Sequence, residues 1–147
     1  MKRAEFLQTC SSLCLGGIPV VALLQSCGGI HYALHQVDDT TIIVHKSEFI
    51  YQKKEEQLTR KFVVIQSSLT LFPICLYQFA DNEYSALLMK CTHKGCEVRP
   101  NAFGLTCPCH GSEYDTLGNV TNPPAEKELT RFRVSNDENL IYIHLNS

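Results

Sequence analysis

The chain has 147 residues, room for one domain and hardly two. At 44% hydrophobic and 19% charged its composition is that of an ordinary globular protein. A formal net charge of −2 and the lack of any basic run argue against nucleic acid as a partner.

Residues 1–26 read as an export signal. Lys2 and Arg3 give a positive start. The apolar run from Leu13 to Leu24 is broken by Gly16, Gly17 and Pro19. It is too short to span a bilayer, which takes about 20 residues, and fits the middle of a signal peptide. Leu24-Gln25-Ser26-Cys27 resembles a bacterial lipobox, with Gln25 an unusual choice at its position. The resemblance predicts cleavage before Cys27 and a lipid on that residue. Lys2-Arg3-Ala4-Glu5-Phe6-Leu7 is also similar to a twin-arginine signal with Lys in place of the first Arg. Together these place the mature chain in the bacterial cell envelope, lipid-anchored on the extracytoplasmic side of a membrane.

Residues 27–39 show no period and are expected to form a flexible tether, reaching about 20 Å on random-coil scaling. Residues 40–147 are expected to fold as one domain. Thr40 to Val44 is β-branched and reads as a strand. Phe49 to Lys61 is polar, an expected loop or edge, with a short helix at most over Lys53 to Leu58. Phe62 to Ile65 reads as a strand. Ile74 to Phe79 and Tyr84 to Met89 flank the turn residues Asp81-Asn82-Glu83, and form an expected hairpin. Leu129 to Val134 and Leu140 to Leu145 form a second, across Ser135 to Asn139. Many short strands with turn signals define an all-β fold, a small antiparallel sandwich or barrel.

The chemistry is concentrated between two of these elements. Eight cysteines occur, and four of them fall within Cys91 to Cys109. One tight cluster points to a metal site, where even spacing would point to a disulfide scaffold. The first loop reads Cys91-Thr92-His93-Lys94-Gly95-Cys96 and the second Cys107-Pro108-Cys109-His110-Gly111-Ser112. Thiolates with imidazoles select zinc or iron–sulfur centres. A structural zinc takes four ligands with simple repeated spacing. These loops offer six candidates in two different arrangements, more than one zinc accepts.

Cys-x-His-x-x-Cys followed by Cys-x-Cys-His resembles the signature of Rieske 2Fe–2S proteins, over residues 91–114. The resemblance implies one 2Fe–2S cluster per chain. By it, Cys91 and Cys107 ligate one iron and His93 and His110 the other, while Cys96 and Cys109 form a disulfide. Neutral imidazoles in place of two thiolates reduce the cluster's negative charge and favour electron uptake. The stretch Cys107 to Asp115 is similar to that of the high-potential members. In those, a Ser and a Tyr at the positions of Ser112 and Tyr114 donate hydrogen bonds to a bridging sulfide and to a Cys ligand, here Cys91. Both bonds favour the reduced state. Asn122-Pro123-Pro124-Ala125 resembles, loosely, the proline-containing loop that covers the cluster in the family. A disulfide fits an exported protein. Iron–sulfur assembly is cytoplasmic in bacteria, which favours export of a folded chain.

The resemblance implies one-electron transfer by a membrane-anchored subunit or shuttle of a respiratory-type oxidoreductase, with no catalytic site of its own. Redox proteins are the expected partners: a quinol-oxidising complex, a cytochrome or a molybdenum subunit. In cytochrome bc complexes the first loop carries an apolar residue where this chain has Lys94, and a transmembrane helix stands where a lipid is expected here. The small Rieske subunit of a molybdenum enzyme such as arsenite oxidase is therefore an alternative reading. A zinc-binding structural module is another, from a different class. Cys75 is expected to be a buried, inert thiol. His31, His35, His45 and His144 lack paired ligands nearby and are expected on the surface or satisfied in the core. Asp115 reads as a turn residue.

Overall fold

The computed structural model describes residues 29–146. The segment read as an export signal, with Cys10 and Cys14, and the expected lipidation site Cys27 lie outside the described residues. The strands are β1 (His35–Asp38), β2 (Thr41–His45), β3 (Ile50–Lys53), β4 (Glu56–Thr59), β5 (Phe62–Ile65), β6 (Ile74–Gln78) and β7 (Tyr84–Leu88). They continue as β8 (Arg99–Asn101), β9 (Gly104–Thr106), β10 (Glu113–Asp115), β11 (Val120–Asn122), β12 (Arg131–Asn136) and β13 (Leu140–His144). Helical structure among the described residues is limited to the short 3-10 turns Lys46–Phe49 and Ala80–Asn82. The all-β expectation holds, including both hairpins, β6–β7 and β12–β13.

Seven strands form one sheet in the order β1-β2-β13-β12-β7-β6-β5, and a four-stranded sheet runs β11-β10-β9-β8. Alternation of side chains across a strand explains how both faces of β5, β6 and β7 are covered. Val63, Ile65, Ile74, Leu76 and Ala86 join Ile42, Val44, Ile141, Ile143 and Phe49 in one core. Val64, Cys75, Tyr77 and Leu87 face the other way, into a second core with Leu105, Val98 and Leu129. Strands buried on both faces read as continuous apolar runs, which is why β5 and β6 stand out in the sequence. The first core lies on the inner face of the curled large sheet, and the second joins that sheet's outer face to the small sheet.

Two expectations are corrected. Residues 31–38 of the segment read as a tether are bonded into the domain. The Val64 N–H donates to the His31 carbonyl at 2.9 Å, and the Ala33 N–H donates to the Val64 carbonyl at 2.8 Å. His35–Asp38 then pairs with β2. Burial of Ala33 and the bond between His31 Nε2 and Glu48 Oε2, 2.8 Å, complete the strap. These contacts are non-local, and no local period announces them. Phe49 to Lys61, read as a loop or edge with a short helix at most over Lys53 to Leu58, holds no helix over those residues and forms the hairpin β3–β4, in which Tyr51 faces Leu58. Lys54 takes the left-handed conformation its turn requires (φ 58°), and the Arg60 guanidinium lies 4.6 Å from the Tyr51 ring centroid.

Candidate metal centre

Each of the two Cys/His loops caps a pair of antiparallel neighbours. Lys90 pairs with Glu97 across the first, and Thr106 pairs with Glu113 across the second. The backbones inside them follow one pattern. The Cys91 N–H donates to the Cys96 carbonyl at 2.8 Å and the Gly95 N–H to the Cys91 carbonyl at 2.9 Å. In the second loop the Cys107 N–H donates to the Ser112 carbonyl at 2.7 Å and the Gly111 N–H to the Cys107 carbonyl at 3.0 Å. Both fifth positions are glycine with positive φ, 76° at Gly95 and 80° at Gly111. A side chain there would be strained.

The loops meet across a disulfide between Cys96 and Cys109, with Cα atoms 6.6 Å apart, as the resemblance implied. The Sγ atoms of Cys96, Cys107 and Cys109 lie within 4.8 Å of one another. Since Cys96 and Cys109 are bonded together, that proximity is a disulfide seated beside Cys107, not a three-thiolate site. Cys91 and Cys107 are free and buried. The His93 and His110 rings meet edge to face with centroids 5.0 Å apart. His110 is exposed and His93 half-buried.

The polar environment favours a thiolate at Cys91. Burial pushes this thiol up, but hydrogen bonds from Tyr114, from the His93 and Lys94 backbone and from Cys107 outweigh it and hold it below its ordinary value. The Tyr114 hydroxyl lies 3.4 Å from Cys91 Sγ. It receives the Thr92 N–H at 3.1 Å and lies 3.0 Å from Thr92 Oγ1. The Thr92 hydroxyl donates to the Lys127 carbonyl at 2.6 Å, so toward Tyr114 it can only accept. The single Tyr114 proton therefore has two acceptors, Cys91 Sγ and Thr92 Oγ1. Burial, and then the Cys91 contact, push the Tyr114 hydroxyl up. Ser112 is fully buried, and its oxygen accepts the Ala125 N–H at 3.0 Å. Its hydroxyl hydrogen is left to donate elsewhere.

One atom of the site is unaccounted for. His93 Nδ1 is buried and has no hydrogen-bond partner. A buried imidazole nitrogen without a partner is costly. Beside two free thiols and a second imidazole, it is what a metal-bound nitrogen looks like in the absence of its metal. The donor set fits a 2Fe–2S group with mixed thiolate and imidazole ligation.

A family model described as the Rieske 2Fe–2S domain matches residues 39–133. The chain belongs to the Rieske 2Fe–2S family: it is an electron-transfer domain whose cofactor is a 2Fe–2S cluster. Among its relatives is a cytochrome b6-f complex iron-sulfur subunit of Synechococcus sp. (strain CC9605), 42% identical over 55 residues. That match covers 36% of this chain and 31% of the relative. A cytochrome b6-f complex iron-sulfur subunit 1 of Nostoc sp. (strain PCC 7120) is 54% identical over 41 residues, 26% of this chain and 23% of its own length. The chain thus spans under a third of the curated relatives it matches. The crystal structure of the plasma membrane Rieske protein PetC3 from Synechocystis PCC 6803 is 26% identical with a TM-score of 0.50, over 56% of this chain and 85% of that one.

Several supporting residues were not legible in the sequence. Thr92 occupies an unspecified position of the motif, and its contacts reach Tyr114 and Lys127. The proline segment is tied to the second loop at both ends: Asn122 Nδ2 donates to the Gly111 carbonyl at 3.0 Å and the Ala125 N–H to Ser112. Cys75 is fully buried, and burial pushes its thiol far up, as expected of an inert core cysteine.

Proposed function

We propose that Cys91 and Cys107 hold one iron of the cluster and His93 and His110 the other. The orphaned His93 Nδ1 beside two unpaired buried thiols carries the assignment. When bound, the cluster supplies reversible one-electron oxidation and reduction. The chain's own residues bias that equilibrium. Tyr114 and the His93 and Lys94 N–H groups point at Cys91 Sγ and stabilise its negative charge. Ser112 keeps a hydroxyl hydrogen for an acceptor within the site. The disulfide holds the two loops together, and the Asn122–Ala125 segment braces the second of them. His110, exposed at the tip, is the exit point for the electron. Ser112 and Tyr114 together define a high-potential centre.

The domain works as a subunit or shuttle of a membrane oxidoreductase, anchored through a lipid on Cys27 on the extracytoplasmic face. The resemblance to cytochrome b6-f iron-sulfur subunits supports a quinol-oxidising or cytochrome partner. A second reading rests on Lys94. Its charge is exposed at the tip of the first loop, where docking on an apolar quinol pocket would have to desolvate it. The small Rieske subunit of a molybdenum oxidoreductase carries no such requirement. Low-temperature EPR of the reduced holoprotein with a redox titration tests the assignment. Alanine at His93 or His110, or serine at Cys91 or Cys107, should abolish the His-ligated signal while the far-ultraviolet spectrum stays β-rich. A His variant that keeps an unchanged signal refutes the ligand set.

A further inference from the structure

We propose that Ile30, Tyr32 and Leu34 seat the domain directly on a lipid bilayer, cluster end toward the membrane, with almost no tether between anchor and fold. The inference rests on the lipid-anchor reading of Cys27 and adds how the anchored domain sits.

The strap alternates. His31 and Ala33 turn inward, one bonded to Glu48 and the other buried, while Ile30, Tyr32 and Leu34 are 43%, 56% and 79% exposed. Three apolar side chains on the outer side of a backbone held rigidly to Val64 form a stripe left exposed among the described residues. An exposed apolar stripe marks an interaction surface, and the anchor decides what covers it. Only four peptide units separate Cys27 from His31. Fully extended they reach about 14 Å, enough to cross the polar interfacial layer of one leaflet, which is roughly 5–8 Å thick. A lipid on Cys27 thus holds the stripe within reach of the headgroups. Tyr suits that depth, with an apolar ring and a polar tip.

The register fixes which end faces the membrane. The strap runs parallel to β5, and Leu34 follows Ala33, which bonds to Val64. Leu34 is therefore level with the end of β5. There Ile65 faces Ile74, Ile74 faces Leu88, and the chain leaves β7 for the first ligand loop. Leu71, 90% exposed, lies in the connection at this same end. The tip of the β8–β9 hairpin is at the other end: Tyr77, opposite Phe62, donates its hydroxyl to the Asn101 and Gly104 carbonyls. Phe103, 89% exposed, is thereby held away from the bilayer.

The chain contains no Trp, so a single introduced indole reports without background. Leu34→Trp, Tyr32→Trp and Phe103→Trp are made in the full-length holoprotein, purified from membranes and reconstituted into bilayers with and without brominated acyl chains. Intact mass establishes the lipid on Cys27, and the visible spectrum establishes the cluster. Leu34→Trp and Tyr32→Trp should lose most of their emission to bromine, and Phe103→Trp little. A chain without lipid on Cys27 overturns the anchor and the seating with it. A lipidated chain in which Leu34→Trp and Tyr32→Trp escape quenching overturns the seating alone. Blue-shifted emission insensitive to bromine assigns the stripe to a protein surface, including a second copy, and also overturns it. Equal quenching of Phe103→Trp overturns the orientation.

Discussion

Tyr114→Phe removes one hydroxyl and leaves the ring in its core. The hydroxyl contributes a hydrogen bond to Cys91 Sγ at 3.4 Å. A hydrogen bond to a charged group contributes about 1.5–3 kcal/mol, and both redox states of the cluster accept it. Only the difference between states moves the potential. The reduced state places more charge on the thiolate, and a difference of about 1 kcal/mol is a fair fraction of the whole bond. A tenfold change in a one-electron equilibrium is about 59 mV, so the midpoint should fall by about 40 mV. The shift is kept small by Thr92 Oγ1, 3.0 Å from the same hydroxyl, which competes for its proton. Thr92→Val removes that competitor and should move the potential the other way. The assay is an EPR-monitored redox titration of both variants beside the parent, with visible spectra to establish intact clusters. An unchanged or raised midpoint in Tyr114→Phe refutes the role of the hydroxyl. A fall in Thr92→Val refutes the shared proton.

Ser112→Ala should also lower the midpoint. It strands the buried Ala125 N–H that Ser112 now satisfies, so thermal unfolding should show a cost of about 1–3 kcal/mol. Gly104 has φ 154°, and a Cβ there would run into the Tyr114 carbonyl oxygen. Gly104→Ala should therefore push β9 from β10, lowering the melting temperature and disturbing the Tyr114 bond; a variant of parental stability and potential would contradict the close approach. Replacing Cys96 and Cys109 by Ser opens a loop of 13 residues' separation. About 3 kcal/mol of stability should go in the chain-entropy account, and iron should be released faster on mild denaturation. Burial pushes the Asp115 carboxyl up, but hydrogen bonds from Asn119, Leu117 and Gly118 outweigh it and hold it below its ordinary 3.8. A depressed carboxyl stabilises the fold above the unfolded value, and this is lost as pH falls below 3.8 through the folded value. Asp115→Asn should flatten that stretch of the stability–pH curve; equal slopes in parent and variant would refute it.

The two Cys/His loops were legible because residue identity and spacing carry their chemistry directly. Cysteine beside histidine at short intervals has few uses, and each loop closes locally. The strands β5, β6, β7 and β13 were legible because their apolar runs and turn residues are local signals. The strap was not. Ala33 and His31 pair with Val64 through backbone atoms across thirty residues of chain, and backbone pairing leaves no trace in side-chain pattern. The hairpin over residues 50–59 hid for another reason: Lys53, Lys54, Glu55 and Glu56 are helix-tolerant residues. Pairing of Tyr51 with Leu58 overrides that preference. Thr92 and Ala125 act through contacts between segments far apart in sequence, and no motif position marks them.

The ligand loops also bear on how such a centre could be altered. Two six-residue turns share one ladder of main-chain bonds and one glycine slot, yet the imidazole stands third in the first turn and fourth in the second. The frame is thus indifferent to which slot bears the ring. In the first turn, moving the histidine from place 93 to place 94 would leave the main-chain bonds and the glycine intact while re-aiming a donor; in the second turn the places on either side of His110 are held by the disulfide cysteine Cys109 and by Gly111. Chemistry at this centre can be rewritten in side chains alone, over a backbone that need not change.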